Sequence, residues 1–158
     1  MNSEQPMRGF KTERALFSSM GTADLVDRLN EALGWELRAM TMYAHYAANV
    51  RGIHRLQLAP MFSTEATESM EHGDVVRRAV VKLGGIPVTD RAPEAIVHTT
   101  DYDAMLEHAL ATEEQAASVY RSILDLVEPI DDKDLYDAIE QIYLAELRSV
   151  DSIRMLMA

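Results

Sequence analysis

GGIPVTDRAPEAIVHTT, residues 84–100, is the stretch on which the fold turns. Two adjacent glycines and two prolines stop any helix that enters it. On either side the chain divides into four long segments, because glycine and proline otherwise gather almost entirely before about residue 21, at Gly52 and Pro60, and at Pro129. The first segment reads as a helix from about Thr22, an N-cap with Asp24 in the first turn, to about Arg51. The second runs over about 54–83, with Pro60 near its first turns. The third starts after HTTD with Thr100 as the expected cap and ends before Pro129, and the fourth runs from DDKD to the last residue. No segment sustains an apolar/polar alternation, so strands are not expected. The links at Gly52 and Pro129 are a few residues long and force antiparallel neighbours. The 84–100 link differs. At about 3.3 Å per residue it can run some 50 Å, more than the roughly 38 Å of a 25-residue helix. That length suits a crossover, and the expected architecture is all-α: a four-helix bundle with a long connection between helices two and three. The expected organisation is an N-terminal extension over 1–21 and one bundle domain over 22–158.

Composition narrows the function. Fifteen Lys and Arg against 26 Asp and Glu give a net charge of −11, which disfavours a nucleic-acid partner held through phosphates and suits one that attracts cations. With no cysteine, disulfides, iron–sulfur clusters and thiolate zinc sites are excluded. No apolar run approaches the roughly 20 residues of a membrane span, and MNSEQPMRGFKTER lacks the apolar centre of a signal peptide, so no membrane association and a cytoplasmic location are expected.

Stepping by three and four residues along each segment picks out the stripe that faces the bundle axis. Around the middle of the stripes stand Glu36 in the first, Glu65, Ser69 and His72 in the second, Glu113 in the third, and Glu146 and Ser149 in the fourth. Their ends are apolar, as in Leu25 and Leu29 or Leu106 and Leu110, and the fourth stripe closes on Ile153 and Leu156. Burying an ionised carboxylate without a partner costs several kcal/mol, so acids at the centres of several facing stripes need compensation. Oxygen donors from several helices with one imidazole suit iron, manganese or zinc better than calcium. Any one such residue alone is more often a protonated or hydrogen-bonded core residue than a ligand; the coincidence of Glu36, His72, Glu113 and Glu146 carries the metal reading. Glu68, Glu71 and Glu114 fall off the stripes and read as solvated, and Glu65 as facing a cavity or water. Tyr43 and Tyr120 read as hydrogen-bonded core tyrosines, with a redox role beside a metal as the alternative.

LNEALGWELRAMTMYAHYA, ESMEHGDVVRRAVVKLGGIP, MLEHALATEEQAASVYRSI and AELRSVDSIRML resemble the four helices of bacterioferritins, within the ferritin-like superfamily, from about residue 25 to 158. The resemblance implies a di-iron site that oxidises iron(II) with oxygen or peroxide, and mineral storage in cage-forming members. It assigns Glu36, His72, Glu113 and Glu146 as metal ligands, with Glu146 bridging. It also exposes two departures: the family's paired Glu-x-x-His motifs become Ser69-x-x-His72 and Glu146-x-x-Ser149, so one bridging carboxylate and one terminal histidine are missing. A depleted site follows, with Glu65 as a stand-in one turn from Ser69. Met70 stands where bacterioferritins place the methionine that ligates haem, one from each of two chains across a twofold axis, and Ser63, Ala66, Thr67 and Gly73 would leave room for the cofactor. The sequence ends where the family continues into a fifth helix that lines the pores of its shell, so a homo-oligomer is expected whose size, dimer or cage, stays open. The expected function is iron binding in storage or detoxification. The alternatives are a metal oxidoreductase that activates oxygen or peroxide, and a non-catalytic shell or scaffold subunit.

Overall fold

The computed structural model describes the backbone from Gly9 to Ala158 and side chains from Gly21 onward. Four helices follow one another: α1 (Gly9–Asn49), α2 (Arg55–Lys82), α3 (Tyr102–Val127) and α4 (Lys133–Met157), with a short 3-10 turn over Glu128–Ile130. The described residues contain no strand. Helix α1 starts well before the expected Thr22, which therefore lies inside the helix and does not cap it. The expected 1–21 extension falls partly outside the described residues, and from Gly9 its backbone is already helical.

The helix ends show why these segments stop where they do. Gly52 and Gly84 take positive φ, the conformation a residue just past a helix end needs. After α2 the Gly84 N–H bonds the Val81 carbonyl and the Gly85 N–H bonds the Val80 carbonyl, which satisfies two otherwise orphaned acceptors. Asp101, rather than the expected Thr100, caps α3 by accepting from the Asp103 N–H. Asp132 caps α4 by accepting from the Leu135 N–H at 3.0 Å.

Helix α1 packs against α2 and α3, and α3 packs against α4. The crossover runs along α1 in the direction of α1 itself, tied to one ridge of it. Asn30 donates to the Ile86 carbonyl and accepts from the Val88 N–H. The Ala92 N–H donates to the Gly34 carbonyl at 2.8 Å, and a Cβ on Gly34 would stand 3.4 Å from that nitrogen. Arg38 bonds the carbonyls of Glu94 and Ala95, and the Tyr46 hydroxyl bonds that of Val97. Polar backbone in an irregular segment thus finds its partners, and helices two and three run parallel as a crossover requires.

The core is in two halves. Leu25, Leu29, Leu33, Val76, Ile123 and Ile139 belong to one apolar cluster; Met42, Tyr46, Leu58, Phe62, Met105 and Ile153 belong to the other. Between them, buried, stand Glu36, Ser69, Thr112, Glu113 and Glu146. Leu156, expected on the inward stripe, is half exposed near the end of α4.

Candidate metal centre

The polar layer exists because each helix contributes it at mid-length, where neighbouring turns are already anchored by apolar side chains. Glu36 comes from α1, His72 from α2, Glu113 from α3 and Glu146 from α4; the three carboxylates are at most 4% exposed. One ligand atom from each of Glu36, His72 and Glu146 lies within 4.8 Å of the others. Two opposed ligands of a single first-row cation stand about 4.2 Å apart, so a small closure would bring all three onto one ion. Their donor set, one imidazole and two carboxylates, fits iron, manganese or zinc.

Protons balance the cluster. His72 Nδ1–H donates to Glu146 Oε1 at 2.8 Å and lies 3.4 Å from Glu36 Oε1. Burial alone would lower the imidazole pKa, yet the hydrogen bonds to Glu146 and Glu36 override it and hold the group up at about 10. Burial raises Glu36, opposed by its bonds to His72 and to Tyr120, whose hydroxyl donates to Glu36 Oε1 at 2.6 Å. Burial also pushes Glu113 well above the usual carboxylate range, and its carboxyl donates to Glu146, which is itself raised by burial. Two acids facing each other in a dry interior share a proton because both cannot ionise. The Tyr43 hydroxyl donates to Glu113 Oε1. No buried side-chain nitrogen or oxygen among the described residues lacks a partner. A cation entering this layer would therefore replace protons rather than fill a charge vacuum.

Structure and sequence differ at several positions. Glu68 is not simply solvated: its carboxylate lies 3.5 Å from His72 Nε2, one turn along α2, where it can orient the ring from behind. The i−4 spacing to His72 carried that signal. Glu65 is half-buried and accepts from the Ser149 hydroxyl at 3.2 Å. Burial and the nearby Glu113 and Glu68 raise its pKa to about 7. Ser69 is buried. Glu71 and Glu114 are exposed, and Glu114 accepts from Arg154. Met70 is 50% exposed on the outer side of α2, beside exposed Ser63 and Thr67 and half-buried Ala66. Gly73 does not share that face: it is buried against Leu33 and Glu36 of α1.

Arg38 was not visible as a site residue in the sequence. Buried behind the acidic layer, it donates to Thr112 Oγ1 at 2.7 Å as well as to the crossover carbonyls, and stacks 5.4 Å from the Trp35 ring centroid. It fixes α3 beside Glu113 without touching the carboxylates. Outside the layer, a cleft of about 410 Å³ between α2 and α4 reaches His72, with Glu71, Gln141 and Arg148 on its walls.

The ferritin-like domain model matches residues 26–157. No curated protein matches the chain in sequence. A ferritin-like diiron-carboxylate protein from Bacillus anthracis str. Ames superposes with a TM-score of 0.83 at 27% identity, over 87% of this chain and 98% of its own. Rhodobacter capsulatus bacterioferritin, with a metal-free dinuclear site and a haem iron in a crystallographic special position, gives 0.71 at 25% identity, over 85% and 84%. The bacterioferritin-related protein from Bacteroides fragilis, a dodecameric thioferritin, gives 0.78 at 23% identity, over 84% and 83%, a likeness of fold. With four helices, a crossover tied along α1 and an acidic layer between two apolar half-cores, the chain belongs to the ferritin-like superfamily as a bacterioferritin-like member.

Proposed function

We propose that this domain, the bundle of residues 22–158 with 1–21 as an extension, binds iron(II) as its substrate and serves iron storage or detoxification in the cytoplasm as a homo-oligomer. The observation that carries the reading is the convergence of buried Glu36, His72 and Glu146, with donor atoms within 4.8 Å, at the level where the two half-cores part. Glu36, His72 and Glu146 hold the stronger position. Glu113 and Glu146 hold a weaker second one, with Glu65 substituting for the carboxylate that Ser69 cannot supply and Ser149 orienting it. Oxidation to iron(III) sends its electrons to oxygen or peroxide.

The diiron-carboxylate character of the Bacillus anthracis protein, at 27% identity over nearly its whole length, supports this reading. Exposed apolar side chains, among them Met70, Leu144 and Leu147, support association of copies. The half-exposed Met70 thioether has the chemistry of a haem-iron ligand, and two copies meeting at this face would supply one each. A pyridine haemochrome spectrum of the purified protein, compared with Met70→Leu, tests that part.

The main test is iron retained per chain after aerobic loading with iron(II) and removal of unbound metal. Tens of atoms per chain support storage. One or none per chain sinks it and leaves the reading of an oxygen- or peroxide-activating oxidoreductase or a non-catalytic shell subunit.

A further inference from the structure

A pair of histidines lies away from the acidic layer. His45 on α1 and His98 on the crossover face each other with Nε2 and Nδ1 2.8 Å apart, their rings edge to face at 5.1 Å between centroids. His45 is nine residues beyond Glu36 on the same helix, about 14 Å along its axis. The pair is solvent-accessible, whereas the layer is buried.

The geometry points to a second cation site, at which His45 Nε2 and His98 Nδ1 together chelate one late first-row divalent cation such as nickel(II), copper(II) or zinc(II). In the metal-free pair one ring nitrogen donates its proton to the lone pair of the other, so the two nitrogens face each other along one line. Bonds of about 2.1 Å set two adjacent ligand nitrogens about 3.0 Å apart at a right angle and about 3.4 Å apart at a tetrahedral angle. The observed 2.8 Å therefore needs a slight opening, together with a turn of the two rings by roughly 35–45° that brings their lone pairs onto one ion. The cation takes the place of the shared proton, which moves to the other nitrogen of its own ring, and water supplies the remaining positions because the site is open.

Placement makes the pair more than a chance contact. His45 rides on a rigid helix, and His98 sits beside Val97, whose carbonyl is held by the Tyr46 hydroxyl at 3.0 Å. Both rings are thus carried by backbone anchored next to the contact, which lowers the ordering cost of a chelate. Two imidazoles without a carboxylate favour nickel, copper and zinc, whereas the carboxylate-rich buried site also fits iron and manganese. The two sites would sort cations by ligand type.

The test uses the full metal-free chain and copper(II) or nickel(II). At substoichiometric copper(II), the electron paramagnetic resonance spectrum of the unaltered protein is expected to show hyperfine coupling to two nitrogens. The buried site, with a single imidazole, would show one, and a one-nitrogen spectrum overturns the proposal. In calorimetric titration with nickel(II), His45→Ala and His98→Ala should each bind one equivalent fewer per chain, with unchanged metal-free melting temperature and iron oxidation. His72→Ala should keep that equivalent. Equal stoichiometry and affinity in the unaltered protein and both outer variants also overturn it. These results are independent of whether the buried layer oxidises iron.

Discussion

The Ser149 hydroxyl on α4 donates to the Glu65 carboxylate on α2 across 3.2 Å. Ser149 stands where the resemblance calls for a histidine, and Glu65 stands one turn from Ser69, where it calls for a carboxylate. Burial, with Glu113 and Glu68 nearby, raises the Glu65 pKa to about 7, and the bond from Ser149 opposes that rise.

Restoring the paired motif should therefore change metal chemistry more than stability. Ser69→Glu with Ser149→His is expected to raise the rate of iron(II) oxidation by about tenfold or more, since ligand and near-ligand changes commonly alter metal affinity by that much. Glu65→Ala in the unaltered chain should lower the occupancy of the second position and spare the first. Stopped-flow absorbance of iron(III) formation and stepwise metal titration read both. An unchanged oxidation rate in the double variant would remove the assignment of these positions.

Metal-free stability should fall as pH rises. His72 holds its proton to about 10 in the fold against its ordinary 6.5, so its contribution is complete below about 6.5 and is lost as pH climbs through 10. Glu65, at about 7 against 4.5, acts in the same sense, with its contribution complete below 4.5 and lost through 7. Glu36, Glu113 and Glu146 are also raised. The expected result is a melting temperature that declines steadily from pH 5.5 to 8.5 without metal. Metal binding should release protons and tighten over the same range. A flat or rising profile for the metal-free protein would contradict the proton-balanced layer.

Arg38→Ala should destabilise the bundle by about 2–4 kcal/mol, because a buried guanidinium and its bonds to Glu94, Ala95 and Thr112 are lost together. Arg38→Lys should recover only part of that, since one ammonium cannot reproduce the planar fork. Urea unfolding measures it; a change below about 0.5 kcal/mol for Arg38→Ala would show that the crossover holds without the clamp.

Gly85→Ala should cost about 1–3 kcal/mol, the range for overpacking a filled site. Its Cβ would stand 2.6 Å from a Val26 methyl and 3.0 Å from a Val80 methyl. Val26→Ala added to it should return part of the loss, and thermal melts of the single and double variants decide the matter.

Sequence reasoning reached the helices and the polar layer because both are written in local pattern. Glycine and proline mark the helix ends, and Glu36, Glu113 and Glu146 interrupt otherwise apolar stripes. Arg38 was hidden because its face of α1 looks solvent-facing until the crossover is laid over it, and a stripe drawn for one helix cannot know what covers its flank. Glu68 reads as solvated in the sequence for a related reason: its partner is the outer nitrogen of an inward-facing ring, so it need not point inward itself. The i+3 spacing reads Gly73 with Met70, yet the roughly 60° that separates i from i+3 is enough to bring Gly73 under α1 while Met70 stays outside.

The attachment of the crossover to the ridge Asn30, Gly34, Arg38 and Tyr46 makes that connection a ruler laid against a scale. Slack costs little in a free loop, about 0.6 kcal/mol for each doubling of length. Here one inserted residue between Val88 and Ala95 would slide carbonyls off the Arg38 fork or the Gly34 notch and put the chain out of registry with the helix. Length variation in this bundle belongs at the turn around Gly52, not in the longer segment that looks better able to absorb it.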